Sequence, residues 1–194
     1  KDIRIAMDEW NYWYGPHLYG ELGTRYFLRD ALGVAAGLHE FYRYSDIYFM
    51  ANYAQTVNVI GCIKTSKTEA QMAATGVVLQ LYRRRYGQIP VTCSGDASPL
   101  DVAGAWTADR KAFTLAIVNP TRDKQTLDLT IKGVKLGAAG RKWTIAGDDQ
   151  MLYNDPGKPR AVDIVESVAK TLPEKLTAEP LSITLYRFAA EKAD

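Results

Sequence analysis

The chain has 194 residues, 47% of them hydrophobic, and a formal net charge of +2. That length allows one or two domains with an ample core. The near-neutral balance argues against nucleic acid or an anionic membrane as the main partner, and no apolar run approaches the roughly 20 residues of a membrane span.

Ile3-Arg4-Ile5-Ala6-Met7 predicts a short buried strand. It runs into Asp8-Glu9-Trp10-Asn11 and an aromatic loop, Tyr12-Trp13-Tyr14-Gly15-Pro16. A carboxylate at the C-terminal mouth of a buried parallel strand is where barrel enzymes hold catalytic groups. Aromatic faces beside it suit the C–H faces of sugar rings. The plainer reading is a strand end with a solvated Asp-Glu pair. His17 in this loop and His39 further on both read as structural histidines.

Thr24 is placed to cap a helix, and Phe27, Ala31, Val34, Ala35, Leu38 and Tyr42 recur at helical spacing through about Arg43. Ile47-Tyr48-Phe49-Met50 predicts a second short buried strand. Ser66 and Glu69 have capping-box spacing ahead of a second helix with Met72, Leu79 and Tyr82 facing inward, ending near Gly87. Arg83-Arg84-Arg85 suits the solvated end of that helix, against its dipole. The order β-α-β-α is that of parallel strands with crossover helices.

The pattern changes near Pro90. Runs at 100–106, 113–118, 127–131 and 181–188 alternate with period two. Turn formers separate them at Asn119-Pro120, Lys132-Gly133, Gly147-Asp148-Asp149 and Asn154-Asp155-Pro156-Gly157. Such strands predict an antiparallel sandwich. The expected domains are residues 1–89 and 90–194. Cys62 and Cys93 read as two buried free thiols, with a bridge between them as the alternative, and no Cys/His cluster has metal spacing.

Two β-α units cannot bury both faces of a sheet, and a full (β/α)₈ barrel needs roughly 250 residues. The rest of the sheet is therefore expected on another polypeptide. The start at Lys1-Asp2-Ile3, without Met, reads as internal, as in the C-terminal piece of a split, nicked or truncated enzyme. The alternative is a very small open sheet. Asp8 and Glu9 are adjacent, and adjacent strand residues point to opposite faces. They cannot form the carboxylate pair of a glycosidase, which spans about 5–5.5 Å for retention or 6.5–9.5 Å for inversion. Glu21 and Asp46 are weak local candidates for a partner.

Three blocks carry a resemblance: Asp8-Glu9-Trp10-Asn11-Tyr12-Trp13-Tyr14, Asp30-Ala31-Leu32, and Ala51-Asn52-Tyr53-Ala54-Gln55-Thr56-Val57-Asn58-Val59-Ile60. With Val118-Asn119-Pro120-Thr121 and Tyr153-Asn154-Asp155-Pro156, they resemble in order the C-terminal half of α-L-arabinofuranosidases of glycoside hydrolase family 51. The resemblance implies an α/β plus all-β fold, the last part of a (β/α)₈ TIM barrel followed by an antiparallel jelly-roll-type sandwich. It implies a retaining mechanism with Glu9 as nucleophile on the seventh barrel strand and 47–50 as the eighth. Gln55 is implied to bind sugar hydroxyls and Trp13 to wall the leaving-group sugar. Trp10 and Asn11 join the candidate substrate contacts, Trp10 reading as core or pocket scaffold before sugar contact and Asp8 as a positioning residue before catalyst. The family's acid/base Glu lies in an Asn-Glu pair, and this sequence contains none. That group is expected on an N-terminal barrel segment, as a separate chain.

The implied reaction is removal of terminal arabinofuranosyl units from hemicellulose or pectin oligosaccharides through a covalent intermediate, without metal or organic cofactor. Family members are often oligomers, commonly hexamers. The resemblance favours a cytoplasmic location, with secretion as the other reading. Two competing functions remain open: an endoglucanase or β-xylosidase of the same family, and a non-catalytic carbohydrate-binding sandwich. The second predicts an exposed aromatic platform, for which Trp106 and Trp143 are the available indoles.

Overall fold

The structure, a computed structural model, describes residues 3–14 and 23–193. Gly15, Pro16, His17 and Glu21 of the sequence reading lie outside the described residues. In chain order the elements are β1 Ile5–Trp10, α1 Leu28–Arg43, β2 Tyr48–Tyr53, β3 Ile63–Thr65, β4 Ala70–Met72, α2 Ala74–Arg85 and β5 Ile89–Val91. Then come β6 Asp101–Trp106, β7 Ala112–Asn119, β8 Gln125–Asp128, β9 Val134–Ala146, β10 Val165–Ala169, β11 Lys175–Ala178 and β12 Ser182–Lys192.

Helix α1 starts at Leu28, not directly after Thr24. Tertiary pairing holds the intervening residues extended: Thr24 N–H donates to the Val59 carbonyl at 2.7 Å, and Phe27 bridges to Tyr153. The Asp30 carboxylate then accepts the Phe27 N–H at 2.7 Å, which satisfies a donor at the helix start. Ser66 and Glu69 close a hairpin instead of opening a helix. Ser66 Oγ accepts the Glu69 N–H at 3.2 Å in the turn between β3 and β4, which places Met72 on β4. Two short pairing strands satisfy the same spacing as a cap, so α2 begins only at Ala74.

Six strands form one antiparallel sheet in the order β10-β9-β12-β7-β6-β5. Alternate residues feed two cores. Ala103, Ala105, Ala116, Val118, Trp143, Ile145, Ile183 and Leu185 meet α1 and α2. Phe113, Leu115, Ile117, Tyr186 and Phe188 face the other way, onto Leu176 and Ala178 of the β8–β11 pair. The result is three layers: helices, the six-stranded sheet, and a small second sheet. Small alanines beneath the helices let them approach closely. Trp106 and Trp143 are both buried, at 8% and 3% exposure, so neither offers a platform to a sugar.

β1 and β2 form a separate parallel pair, from Ile5↔Tyr48 to Trp10↔Tyr53. Neither is buried as the sequence suggests. Ile3 is 80% exposed and Phe49 58% exposed. Helix α1 supplies Phe41, whose ring meets Trp10 and Tyr48, while the outer edges of the pair carry no further described strand. The cysteines depart likewise from two buried thiols: both are free, Cys62 half-buried and Cys93 exposed in the loop after β5. No described helix is long and apolar enough to cross a membrane.

One polar cluster ties the helices to the large sheet. His39 on α1 is fully buried, with Nδ1 2.5 Å from Asp101 Oδ1 and Nε2 2.6 Å from Tyr82 Oη of α2. Arg43 forks onto Asp101 at 2.5 and 3.3 Å and donates to the Val102 carbonyl at 3.0 Å. Burial lowers the His39 pKa, despite the Asp101 carboxylate acting in the opposite sense. Neutral His39 then donates from Nδ1 to Asp101 and accepts the Tyr82 hydroxyl at Nε2. For Asp101, burial pulls the pKa up, but hydrogen bonds from His39 and Arg43 outweigh it and leave it lowered.

Both shifts act in the same sense on stability. Below its unfolded pKa of about 6.5, His39 binds a proton more readily in the unfolded chain, so stability falls as pH drops through that value. Asp101 contributes a further loss below about 3.9, its unfolded value. Chemical denaturation between about pH 7.5 and pH 5 should therefore show falling stability, and His39→Gln should flatten that limb while costing about 1–3 kcal/mol at neutral pH. Equal pH slopes for the two proteins would contradict the assignment.

Candidate active site

The C-terminal ends of β1 and β2 lie side by side, because the strands are parallel and paired up to Trp10↔Tyr53. The chain leaves β1 through Asn11–Tyr14 and leaves β2 through Ala54–Ile60. The candidate residues gather at this end.

Glu9 is the penultimate residue of β1 and is exposed. The register passes from Met7↔Ala51 to Trp10↔Tyr53, so Asp8 and Glu9 together stand against Asn52 alone. Such a bulge interrupts the alternation and re-aims side chains. The alternation on which Asp8 and Glu9 would face opposite ways is thus interrupted at this point of the strand. Both carboxylates are exposed, and neither has a hydrogen bond or ion pair to another described residue.

Asn11 is the fastener between the two strand ends. Its Nδ2 lies 2.8 Å from the Ala54 carbonyl, 2.7 Å from the Ile60 carbonyl and 2.6 Å from Tyr26 Oη. Its Oδ1 accepts the Tyr12 N–H at 2.7 Å. An amide has two N–H hydrogens, so its donors are fully engaged within the protein. Tyr26 Oη lies 2.8 Å from the Tyr12 carbonyl and 2.9 Å from that of Ile60. Burial raises its pKa, so it remains a hydroxyl. Backbone bonds complete the clamp: Ala54 N–H donates to the Trp10 carbonyl at 3.1 Å, and Cys62 N–H to the Gln55 carbonyl at 3.2 Å. The Ala54–Gln55 peptide is cis. The Gln55 side chain is exposed and has no hydrogen bond to a described residue.

In the aromatic loop, Tyr12 and Tyr14 tuck against α1. The Tyr14 hydroxyl donates to the Asp30 carboxylate. Tyr12 Oη fills the space over Gly33, where an added Cβ would come within 1.9 Å of it. Burial raises the Asp30 pKa, against the lowering effect of the Tyr14 hydrogen bond. Trp13, between the two tyrosines, is 69% exposed. Trp10 instead joins the scaffold. Its ring meets Phe41 and Tyr53 edge-on at 5.1 and 5.5 Å, and its Nε1 is buried with no acceptor among the described residues.

Asp46 precedes β2 and therefore lies at the N-terminal end of the pair, opposite Glu9. Six residues of strand separate those ends by about 20 Å. It cannot partner Glu9 across a glycosidic bond. Lys64 was not singled out by the sequence. It is 3% exposed and donates to the Val59 carbonyl at 3.1 Å beneath the loop, with its pKa lowered by burial to about 8. Its position on a three-residue strand between Ile63 and Thr65 carried no recognisable signal. Among the described residues, no group of three or more His, Cys, Asp and Glu side chains could hold a metal ion. The site therefore presents two exposed carboxylates, Asp8 and Glu9, an exposed amide, Gln55, and an exposed indole, Trp13.

The family model for the α-L-arabinofuranosidase C-terminal domain matches residues 8–182. The probable α-L-arabinofuranosidase C of Aspergillus clavatus is 32% identical over an alignment covering 96% of this chain and 40% of the relative. Among solved structures, the α-L-arabinofuranosidase of Thermotoga maritima, determined with arabinose, superimposes with a TM-score of 0.82 at 24% identity, covering 95% of this chain and 42% of that one. The thermostable family 51 enzyme of Thermotoga petrophila gives 0.78 at 25%, covering 95% and 43%. The chain thus spans about two fifths of the length of these relatives.

The Asn11 fastener makes a direct prediction. Asn11→Ala removes two N–H donors from the cluster formed by the Ala54 and Ile60 carbonyls and the Tyr26 hydroxyl, and should destabilise the chain by about 2–3 kcal/mol. Combined with Tyr26→Phe, the loss should be clearly less than additive, because the residues share one network. Additive losses in denaturant melts would show that the two act separately.

Proposed function

The chain belongs to the α-L-arabinofuranosidase C-terminal domain family, and on that premise we propose that it supplies the nucleophile half of a retaining glycoside hydrolase. The substrates are arabinose-containing hemicellulose or pectin oligosaccharides, from which terminal α-L-arabinofuranosyl residues are released. The observation that carries this reading is the convergence of Glu9 and Gln55 at the C-terminal ends of two adjacent parallel strands, the end at which such sheets hold their chemistry.

In the proposed mechanism the Glu9 carboxylate attacks the anomeric carbon as the leaving oxygen is protonated, forming a covalent arabinosyl ester. Water then opens the ester, with the acid now acting as base. Gln55 donates and accepts hydrogen bonds with sugar hydroxyls, and Trp13 stacks on the leaving-group side. Asn11 and Trp10 act indirectly: Asn11 fixes the spacing of the two strand ends, and Trp10 seats β1 on α1. The acid/base comes from outside these residues, because no Asn-Glu pair occurs in the sequence.

Further parallel strands are expected to cover the exposed apolar residues of β1 and β2, among them Ile5, Phe49 and Met50. In this reading, residues 1–89 form the last part of a (β/α)₈ barrel and 90–194 its sandwich. The rest of the barrel comes from residues outside this sequence, and the assembly is a homo-oligomer, a hexamer by family analogy. The sandwich alone is a poor candidate for a binding module of the aromatic-platform type, since both its indoles are buried.

Turnover of an aryl α-L-arabinofuranoside by the complete assembly tests the assignment. Glu9→Ala and Glu9→Gln should lower kcat by roughly four orders of magnitude or more while leaving the melting temperature close to the parent's. Azide should rescue Glu9→Ala and yield an arabinosyl azide of inverted anomeric configuration, as expected when the missing group is the nucleophile. Turnover retained in either variant would remove Glu9 from that role.

A further inference from the structure

A shallow open cleft of about 530 Å³ lies on the large sheet, away from the strand ends that carry Glu9. Its floor is made of small residues, Ala112, Ala139, Gly140 and Ala189, with Val168 along one side. Along β12, Arg187 continues the series Ile183 and Leu185, and along β9, Arg141 precedes Trp143 and Ile145 at the same period of two. The cleft is thus the end of the helix-covered face that α1 and α2 leave open, and no helix residue lines it.

Its charges do not balance. Lys111 has the Asp109 carboxylate nearby, and Arg141 pairs with Glu166 at 3.3 Å. Arg187 is half-buried, stands directly across from Arg141 in the register, and has no ion pair with any described residue. Like charges placed opposite each other across strands destabilise a sheet, so packing gives no account of this guanidinium. An anion does. A guanidinium fork accommodates a carboxylate through two parallel hydrogen bonds. The alanine floor and the exposed Val168 present C–H surface of the kind that lies against a sugar ring, and the volume is within the range of small-ligand sites.

We propose that this cleft binds a uronate unit of a glycan, with the sugar carboxylate on Arg187 and the ring on the floor formed by Ala112, Ala139 and Ala189. The choice of a sugar among carboxylates rests on the glycosidase reading; the anionic recognition does not. Such a site would hold acidic polysaccharide while neutral arabinofuranosyl branches reach the strand-end site.

Binding is measured without turnover, by calorimetry and NMR on the intact chain with a short oligogalacturonate as probe. The expected results are saturable binding, amide shifts at Ala112, Ala139 and Ala189, and affinity that falls as NaCl rises from about 0.05 to about 0.5 M. Arg187→Ala should weaken binding at least about tenfold and Arg187→Lys less, since lysine keeps the charge but not the fork. Glu9→Gln should bind like the parent, which separates this site from the proposed nucleophile. A neutral arabino-oligosaccharide should leave the cleft shifts unmoved. The proposal is overturned if the uronate does not bind, if shifts map elsewhere in the parent protein, or if Arg187→Ala binds unchanged. It is equally overturned if acetate, phosphate or polyglutamate binds as tightly as the uronate.

Discussion

All eight residues of β7, Ala112–Asn119, are buried, and this double burial is the constraint on which the other layers depend. A sheet with two apolar faces needs cover on both. On one side the cover is α1 and α2, and on the other the β8–β11 pair. Because the helices are committed to the large sheet, they hold β1 and β2 at a set place relative to it. The buried His39–Asp101–Arg43 cluster, with Tyr82, adds directionality to contacts that apolar packing alone would leave free to slide. The strand-end site is therefore referenced through α1 to the sheet furthest from it in sequence.

Within the site, geometry follows from a few polar atoms. Asn11 and Tyr26 join the end of one strand to the loop after the next, so Glu9 and Gln55 approach from a common frame. The bulge at Asp8 and Glu9 takes those two residues out of simple alternation just where β1 ends. Tyr12 and Tyr14 anchor the aromatic loop to α1, on either side of the exposed Trp13. Of the site residues read from sequence, Glu9, Trp13 and Gln55 are exposed, while Trp10 is packed between rings and Asn11 is hydrogen-bonded into the clamp.

Periodicity made much of this legible. Both helices, and β6, β7 and β12, carry their period plainly. β9 does not, because Gly137, Ala138, Ala139 and Gly140 interrupt its alternation. At Gly140 the reason is contact: a Cβ would lie 2.4 Å from the Arg187 carbonyl oxygen. Capping signals at Thr24 and Ser66 were real local preferences taken up by other structure, an extended tether and a hairpin turn. Apolar composition marked β1 and β2 as strands that need covering, but composition does not say which residues do the covering. The bulge and the buried Lys64 left no trace in the sequence, since both arise from pairing between distant segments.

The identity of the nucleophile is most directly tested by trapping the covalent intermediate. The complete assembly is incubated with an activated 2-deoxy-2-fluoro-arabinofuranoside, whose fluorine slows breakdown of the ester. Protease digestion and mass spectrometry then locate the added sugar. A fluoroarabinosyl ester on the Glu9 side chain is the predicted result, and an adduct on Asp8 or on any carboxylate outside β1 would contradict it.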